Sequence, residues 1–322
     1  LQAKKKKAID AGNSVETAFW DKRQLVKKIN LNSLYGAILN PGCRFFDTRI
    51  GQSTTLTGRC ITKHMASKTN EIICGDYDYR GQSIIYGDTD SVYFSAYKPL
   101  KSDIDAGNVP WTSESVVQLY DSVAEEVNKS FPKYMDQSFN CPTSYGKLIA
   151  AGREAVGSKG LFITKKRYAI KIYDLEGESV DKIKAMGLDL KRSDTPAYIQ
   201  NFLSDVLDKV LTGSNEEQVM DFIADFRLEF KKMPGWEKGS PRRVIDGQKC
   251  VVCKLKDNPM GYTSIAYPTD ELRIPEWFKE LPFADDEMES TLINKKLDNL
   301  IGVLDWDLGA SEADNTFDKL FT

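Results

Sequence analysis

The most informative stretch of the sequence is Ser83-Ile-Ile-Tyr-Gly-Asp-Thr-Asp-Ser-Val-Tyr-Phe-Ser95. Two runs of β-branched and aromatic residues flank Gly87-Asp-Thr-Asp-Ser91, a pattern typical of a β-hairpin. Two aspartates two residues apart at a tight turn repel each other unless a cation neutralises them. Because hard carboxylate oxygens suit Mg²⁺, Asp88 and Asp90 are candidate metal ligands. The alternative is an Asx turn in which the aspartates bond their own backbone.

Helical and strand patterns surround this hairpin on both sides. An N-x-x-E capping pattern at Asn13 begins a helix that Asn40-Pro41 ends. The predicted elements are helices over 13–39, 50–74 and 112–134 and a further hairpin from Leu161 to Tyr173 that turns at 174–177. Helices and antiparallel strands in this order predict an α+β fold.

The character of the sequence changes after Met186-Gly187. Ser193-Asp-Thr-Pro196 is a strong helix start, and a second helical stretch over 215–233 ends at Pro234. We therefore expect a domain boundary near residue 187, followed by a mostly helical part.

The helix over 13–39 carries a second candidate site. Lys28, Asn32 and Tyr35 are spaced by four and three residues and so share one face, while Val26 and Ile29 point roughly the opposite way. A cation, an amide and an aromatic ring in one stripe suit a triphosphate and a base. The alternative is a polar helix surface with an incidental tyrosine.

Charge is distributed unevenly along the chain. The net charge is 44 − 47 = −3, yet residues 147–171 carry seven basic side chains and one acidic, whereas residues 270–322 carry five basic and fourteen acidic. A local basic strip indicates contact with phosphates; the alternative is a solvated charged face. At its centre, Thr164-Lys-Lys-Arg-Tyr168 has the alternation of a strand that sends Lys166 and Tyr168 to one side, which suits contacts to a nucleic-acid backbone.

Other function classes are disfavoured by composition. No run of 18 apolar residues exists and the first residues lack the apolar stretch of a secretory signal, so we expect a soluble, cytoplasmic protein and no membrane partner. Six scattered cysteines do not make a disulfide framework and fit a reducing compartment. Cys250 and Cys253 could form half of a zinc site, but no second pair completes it, and the surrounding CVVCKL favours buried strand cysteines.

Three motifs together resemble those of family B DNA polymerases. Lys28-Ile-Asn-Leu-Asn-Ser-Leu-Tyr-Gly36 resembles the K-x3-N-S-x-Y-G fingers motif, Tyr86-Gly-Asp-Thr-Asp-Ser91 the YGDTDS palm motif, and Lys165-Lys-Arg-Tyr168 the KKRY primer-strand motif. They occur in the family's order and at compatible distances. Arg44-Phe-Phe-Asp47 and Met186-Gly-Leu188 resemble the replicative polymerases of T-even-like bacteriophages, and the resemblance covers essentially the whole chain.

The resemblance implies a fold and a domain order. It predicts an α+β protein with a partial polymerase palm, built of an antiparallel β-sheet and packed helices, followed by a mostly helical thumb. Residues 1–40 would be the C-terminal part of the fingers, 41–187 the partial palm with the metal-binding hairpin, and 188–322 the thumb.

The same resemblance implies roles for the motif residues. Lys28 would bind the phosphates of the incoming dNTP with support from Asn32, and Tyr35 and Gly36 would border the nascent base pair. Asp90 would be the metal-binding carboxylate and Asp88 its neighbour.

The basic motif and the tail imply macromolecular partners. The segment of Lys165, Lys166, Arg167 and Tyr168 would hold the primer end of primer-template DNA. The last residues resemble the tail by which such polymerases dock on a sliding clamp, with Phe317, Leu320 and Phe321 as anchors. The alternative for this tail is a frayed terminus.

The implied reaction is template-directed DNA synthesis at a site with two Mg²⁺ ions. However, the family's D-x2-S-L-Y-P-S palm motif, which supplies the second metal-binding aspartate, occurs nowhere in the sequence. We therefore expect the chain to correspond to a C-terminal half, to need an N-terminal polymerase half, and to be inactive alone. A non-catalytic module for DNA binding and clamp tethering is the alternative, and a phage origin would place the protein in the cytoplasm of an infected bacterium.

Overall fold

The computed structural model describes residues 1–244, 248–257, 261–268 and 274–311. Two compact units make up the chain. The first consists of residues 1–112 and 119–151, and the second of residues 113–118 and the chain from Gly152 onward.

The first unit combines helices with one two-stranded antiparallel sheet. Its elements are α1 (Gln2–Asp10), α2 (Ser14–Ile38), α3 (Thr48–Cys74), β1 (Ile84–Asp88), β2 (Ser91–Phe94), α4 (Lys101–Asp105), α5 (Ser113–Phe139, whose first six residues belong to the second unit) and α6 (Thr143–Gly146). The three predicted helices and the first hairpin are confirmed. As the capping pattern predicts, the side-chain oxygen of Asn13 accepts the N–H of Glu16 at 3.0 Å, and α2 ends before Asn40-Pro41.

The core of the first unit lies between α3, α5 and the hairpin. Val123, Val127 and Phe131 recur every four residues of α5 and are at most 2% exposed, so they form one apolar stripe. Packed against this stripe are Ile61, Met65, Ile73, Phe94, Ile149 and Ala151. Burial of the stripe thus packs residues of α3 and of strand β2 against the same face of α5.

The second unit contains two three-stranded antiparallel sheets and a set of helices. Its elements are β3 (Ala155–Thr164), β4 (Arg167–Leu175), β5 (Glu178–Met186), α7 (Ala197–Thr212), α8 (Glu216–Lys232), β6 (Ser240–Val244), β7 (Gln248–Lys254), β8 (Ser264–Pro268), α9 (Glu276–Lys279), α10 (Asp285–Glu289), a π-helix (Ser290–Asn294), α11 (Lys295–Ile301), and 3₁₀ turns at 189–191, 235–237, 302–304 and 308–311. The sheets have the orders β3-β4-β5 and β6-β7-β8.

The basic segment differs from its predicted shape. The pattern predicts one strand through Lys165 and Lys166, but these two residues form a turn between β3 and β4, closed by the pair Thr164 and Arg167. The backbone of Lys166 is left-handed, with φ +64°, which reverses the chain and breaks the period of a strand. The placement of Lys166 and Tyr168 on one side of a strand is therefore wrong, whereas the turn within 174–177 is confirmed.

The core of the second unit joins the sheet β3-β4-β5 to the helices that follow it. Ala169 of β4 is fully buried in the same cluster as Ile199 and Leu203 of α7. The compact units accordingly separate at residues 151 and 152, and Gly187 lies inside the second unit. The division into fingers, palm and thumb stays a prediction.

The cysteine pair of β7 lies in the protein interior, as predicted. Cys250 is 7% exposed and Cys253 fully buried, and burial raises the pKa of the Cys253 thiol to about 12. Within the described ranges, no helix has the length and apolar character needed to cross a bilayer.

Candidate active site

The β1–β2 hairpin, which carries Asp88 and Asp90, is called here the aspartate hairpin. Its turn is shorter than the five-residue loop that the sequence pattern suggests. Pairing continues to Asp88 and Ser91, so only Thr89 and Asp90 form the turn. Thr89 has φ +54°, which is uncommon for a β-branched residue. The N–H of Asp90 donates to the carbonyl oxygen of Asp88 at 2.7 Å, and the Ser91 hydroxyl donates to the same oxygen at 3.1 Å.

The two candidate carboxylates have different surroundings. Asp88, at the end of β1, is half-buried and its Oδ1 accepts a hydrogen bond from the Thr89 hydroxyl at 3.1 Å. Asp90 is exposed. The hairpin therefore presents one carboxylate held by its neighbours and one open to solvent.

Helix α3 holds this hairpin at both ends of β1. At the start, the side-chain oxygen of Asn70 accepts the N–H of Ser83 at 3.1 Å and its hydroxyl at 2.8 Å. At the tip, the Thr62 hydroxyl lies 2.8 Å from the carbonyl oxygen of Thr89. Sequence reasoning missed Asn70 and Thr62, because contacts 13 and 27 residues apart leave no periodic signal.

Carboxylate oxygens of this kind fit Mg²⁺, which takes one or two carboxylates and completes its shell with water and phosphate. Among the described residues, no group of three or more His, Cys, Asp or Glu side chains could hold a metal ion. The part of the chain that the structure describes thus offers Asp88 and Asp90 as a carboxylate pair.

The predicted nucleotide-binding residues lie on an open helix. Lys28, Asn32, Tyr35 and Gly36 are all exposed, and no residue described in α2 is buried. Among the described residues, a Cβ at Gly36 would meet nothing within 4 Å beyond the nearby backbone of α2.

The predicted primer-binding residues belong to the second unit and differ in their exposure and contacts. Lys165 and Lys166, called here the lysine turn, are exposed. Arg167 donates from Nη2 to the carbonyl oxygen of Asn299 at 2.9 Å. Tyr168 is only 7% exposed and stacks on Phe162 with ring centroids 5.5 Å apart.

Part of the basic strip is neutralised within the protein. Arg153 pairs with Asp174. Lys171 pairs with Asp181 at 2.9 Å and Asp208 at 3.1 Å, and hydrogen bonds to these carboxylates, that to Asp181 first, raise the Lys171 pKa. The exposed lysines of this strip are Lys147, Lys159, Lys165 and Lys166, and the last two lie together at the lysine turn.

The single histidine has a packing position. His64 is 7% exposed, is hydrogen-bonded to Tyr77 and Ser130 at 2.6 and 2.8 Å, and stacks on Tyr134 with ring centroids 3.8 Å apart. The predicted clamp-binding residues Phe317, Leu320 and Phe321 lie outside the described residues.

The first unit thus carries paired carboxylates on a hairpin and lysines on an exposed helix, and the second unit carries an exposed basic turn. Residues 2–234 match the sequence profile of DNA polymerase family B, and the chain belongs to this family.

Individual relatives agree with this assignment. The chain is 27% identical over 306 residues to the DNA-directed DNA polymerase of Enterobacteria phage T4, covering 76% of this chain and 33% of that protein. It is 30% identical over 202 residues to the DNA-directed DNA polymerase of Escherichia phage RB69, covering 58% of this chain and 22% of the relative. It is 26% identical over 217 residues to the DNA polymerase alpha catalytic subunit of Arabidopsis thaliana, covering 66% of this chain and 12% of that protein. The chain thus spans a third or less of the length of these relatives.

Proposed function

We propose that this chain performs template-directed DNA synthesis as the C-terminal part of a family B DNA polymerase. The observation that carries the proposal is the aspartate hairpin, with Asp88 and Asp90 at a two-residue turn bonded to α3. A module that only binds DNA has no use for such a carboxylate pair.

Each motif residue takes a role that its position allows. Lys28, exposed on α2, neutralises the phosphates of a dNTP, and Asn32 supplies polar contacts one turn later. Tyr35 and Gly36 border the nascent base pair, and the open space at Gly36 leaves room for it. The lysine turn holds the backbone of the primer strand.

The reaction joins the primer 3′-oxygen to the α-phosphorus of the dNTP while the bond to the leaving pyrophosphate breaks. Two bound Mg²⁺ ions would stabilise the attacking and leaving oxygens. Asp90 and Asp88 are the residues of this chain that would hold the metal. The D-x2-S-L-Y-P-S motif, which supplies the second metal-binding aspartate in the family, is absent from the sequence. We therefore propose that an N-terminal polymerase half supplies this aspartate and that the isolated chain does not polymerise.

Primer extension with Mg²⁺ and four dNTPs tests this function on the chain alone and on the chain mixed with an N-terminal half that carries the missing motif. We expect synthesis only in the mixture. Asp90→Asn should abolish it and leave primer-template binding unchanged, whereas Asp105→Asn, an exposed carboxylate of α4, should have no effect. Synthesis by the highly purified chain alone, or by the Asp90→Asn mixture, would contradict the proposal.

The second candidate is a non-catalytic module that binds DNA and a sliding clamp. The exposed lysine turn favours DNA binding in either case. DNA binding without synthesis in any mixture would support this alternative, and loss of clamp binding on Phe317→Ala would test the tail.

A further inference from the structure

A hydroxyl of α3 reaches the tip of the aspartate hairpin. Oγ1 of Thr62 lies 2.8 Å from the carbonyl oxygen of Thr89, a residue 27 positions further along the chain. Thr89 separates Asp88 from Asp90 and has the left-handed φ of +54°. The contact therefore falls on the peptide that sets the two carboxylates relative to each other.

The Thr62 hydroxyl has one proton and two acceptors within reach. The second is the carbonyl oxygen of Gly58 at 3.0 Å, which the α-helical pattern already supplies with the N–H of Thr62. The carbonyl oxygen of Thr89 is nearer, and a hydrogen bond to it ties α3 to the hairpin, which a bond to Gly58 within the helix does not do. By contrast, the Thr54 hydroxyl of the same helix donates to Ile50 at 2.9 Å within its own helix.

We propose that Thr62 is a positioning residue for the polymerase site, whose hydroxyl holds the Thr89 carbonyl and thereby orients Asp88 and Asp90. This rests on the proposed function of the hairpin. A left-handed β-branched residue persists only where its surroundings hold it. A small rotation of this peptide matters because Mg²⁺ demands near-ideal geometry.

The rest of the hairpin is held independently of Thr62. Asn70 bonds Ser83 at the start of β1, and the rings of Tyr86 and Tyr93 stack across the strands with centroids 5.8 Å apart. Loss of the Thr62 hydroxyl should thus loosen the tip and leave the strands paired.

Three variants isolate the hydroxyl. Thr62→Val removes it at nearly constant shape, Thr62→Ser retains it, and Thr54→Val removes a hydroxyl that bonds only within α3. Hydrogen exchange of the full chain, followed by mass spectrometry on a peptide spanning residues 84–94, should be about 3- to 10-fold faster in Thr62→Val, as expected for one lost hydrogen bond. It should be unchanged in the other two. Exchange in Thr62→Val equal to wild type would overturn the proposal.

The complemented primer-extension assay gives the second readout. Thr62→Val should lower kcat several-fold and raise the Mg²⁺ concentration for half-maximal rate, with KM for primer-template unchanged, and Thr62→Ser should restore both. If Thr62→Val loosens the tip but synthesises DNA like wild type, the positioning role is wrong while the proposed function stands. If the wild-type mixture makes no DNA, the proposed function itself fails, and the catalytic part of the Thr62 role falls with it.

Discussion

Gly187 lies directly against the carbonyl oxygen of Lys166. A Cβ at position 187 would stand 2.1 Å from that oxygen, and Gly187 has φ +65°. The end of the sheet β3-β4-β5 therefore supports the lysine turn through a backbone contact that admits no side chain. The Met-Gly-Leu junction and the KKRY-like motif, separate in sequence, form one structural feature.

Gly187→Ala should destabilise the chain and disturb the lysine turn. The left-handed backbone alone costs about 1–2 kcal/mol for a residue with a Cβ, and the overlap with a backbone atom adds to this. Gly177→Ala is the matched control, because Gly177 has φ +91° but a Cβ there would meet no described residue other than its chain neighbours within 4 Å. Urea unfolding should show a larger loss for Gly187→Ala, and equal losses would refute the role of this contact.

Gly36→Ala should affect stability and activity in opposite directions. Glycine in a helix is about 1 kcal/mol less favourable than alanine, and among the described residues nothing beyond the nearby backbone of α2 lies within 4 Å of the added methyl. We expect a slightly more stable chain whose complemented DNA synthesis is weaker, because the methyl would intrude on the base pair. Unimpaired synthesis would remove Gly36 from the proposed nucleotide site.

Lys166→Ala should weaken binding of primer-template DNA and lower the salt dependence of the binding constant. Removal of one phosphate contact reduces the slope of log K against log salt by about 1. Lys182, an exposed lysine of β5, provides the charge-matched control. Fluorescence anisotropy at several salt concentrations distinguishes them, and an equal effect of Lys182→Ala would indicate a diffuse charge effect.

Cys253 should resist alkylation in the native chain. Burial raises its pKa to about 12, so the reactive thiolate is scarce near neutral pH. Cys60 is exposed and should react with iodoacetamide first. Mass spectrometry of peptides after brief labelling at pH 8 measures both rates, and rapid labelling of Cys253 would contradict its buried position.

His64 should make stability fall as the solution becomes acidic. Burial first, and then the charge of Lys68, lower the pKa of His64, opposed by Glu71. A pKa below the unfolded value of about 6.5 means that the unfolded chain binds the proton more tightly. The stabilisation is complete above that unfolded value and is lost progressively as the pH falls below it. Unfolding of wild type and His64→Gln at pH 7.5 and 5.5 should show a smaller pH effect in the variant.

The family, the α+β class and most element positions follow from local patterns in the amino-acid sequence. Capping residues, prolines and periodic apolar residues act over a few positions, so the bounds of α2 and the existence of the aspartate hairpin could be predicted. The three motifs point to the family because residue types and their order can be read from the sequence without the geometry. Burial of Cys250 and Cys253 followed from the strand pattern around them.

Which of these residues contact one another depends on how the elements pack, and this is visible only in the folded chain. The turn at Lys165-Lys166 was missed because its left-handed residue is a lysine, whereas such turns are usually marked by glycine or asparagine. The contact of Gly187 with Lys166 and that of Thr62 with Thr89 join residues 21 and 27 positions apart. A hydrogen bond or a close approach between distant residues depends on how elements pack, and it leaves no local pattern in the chain.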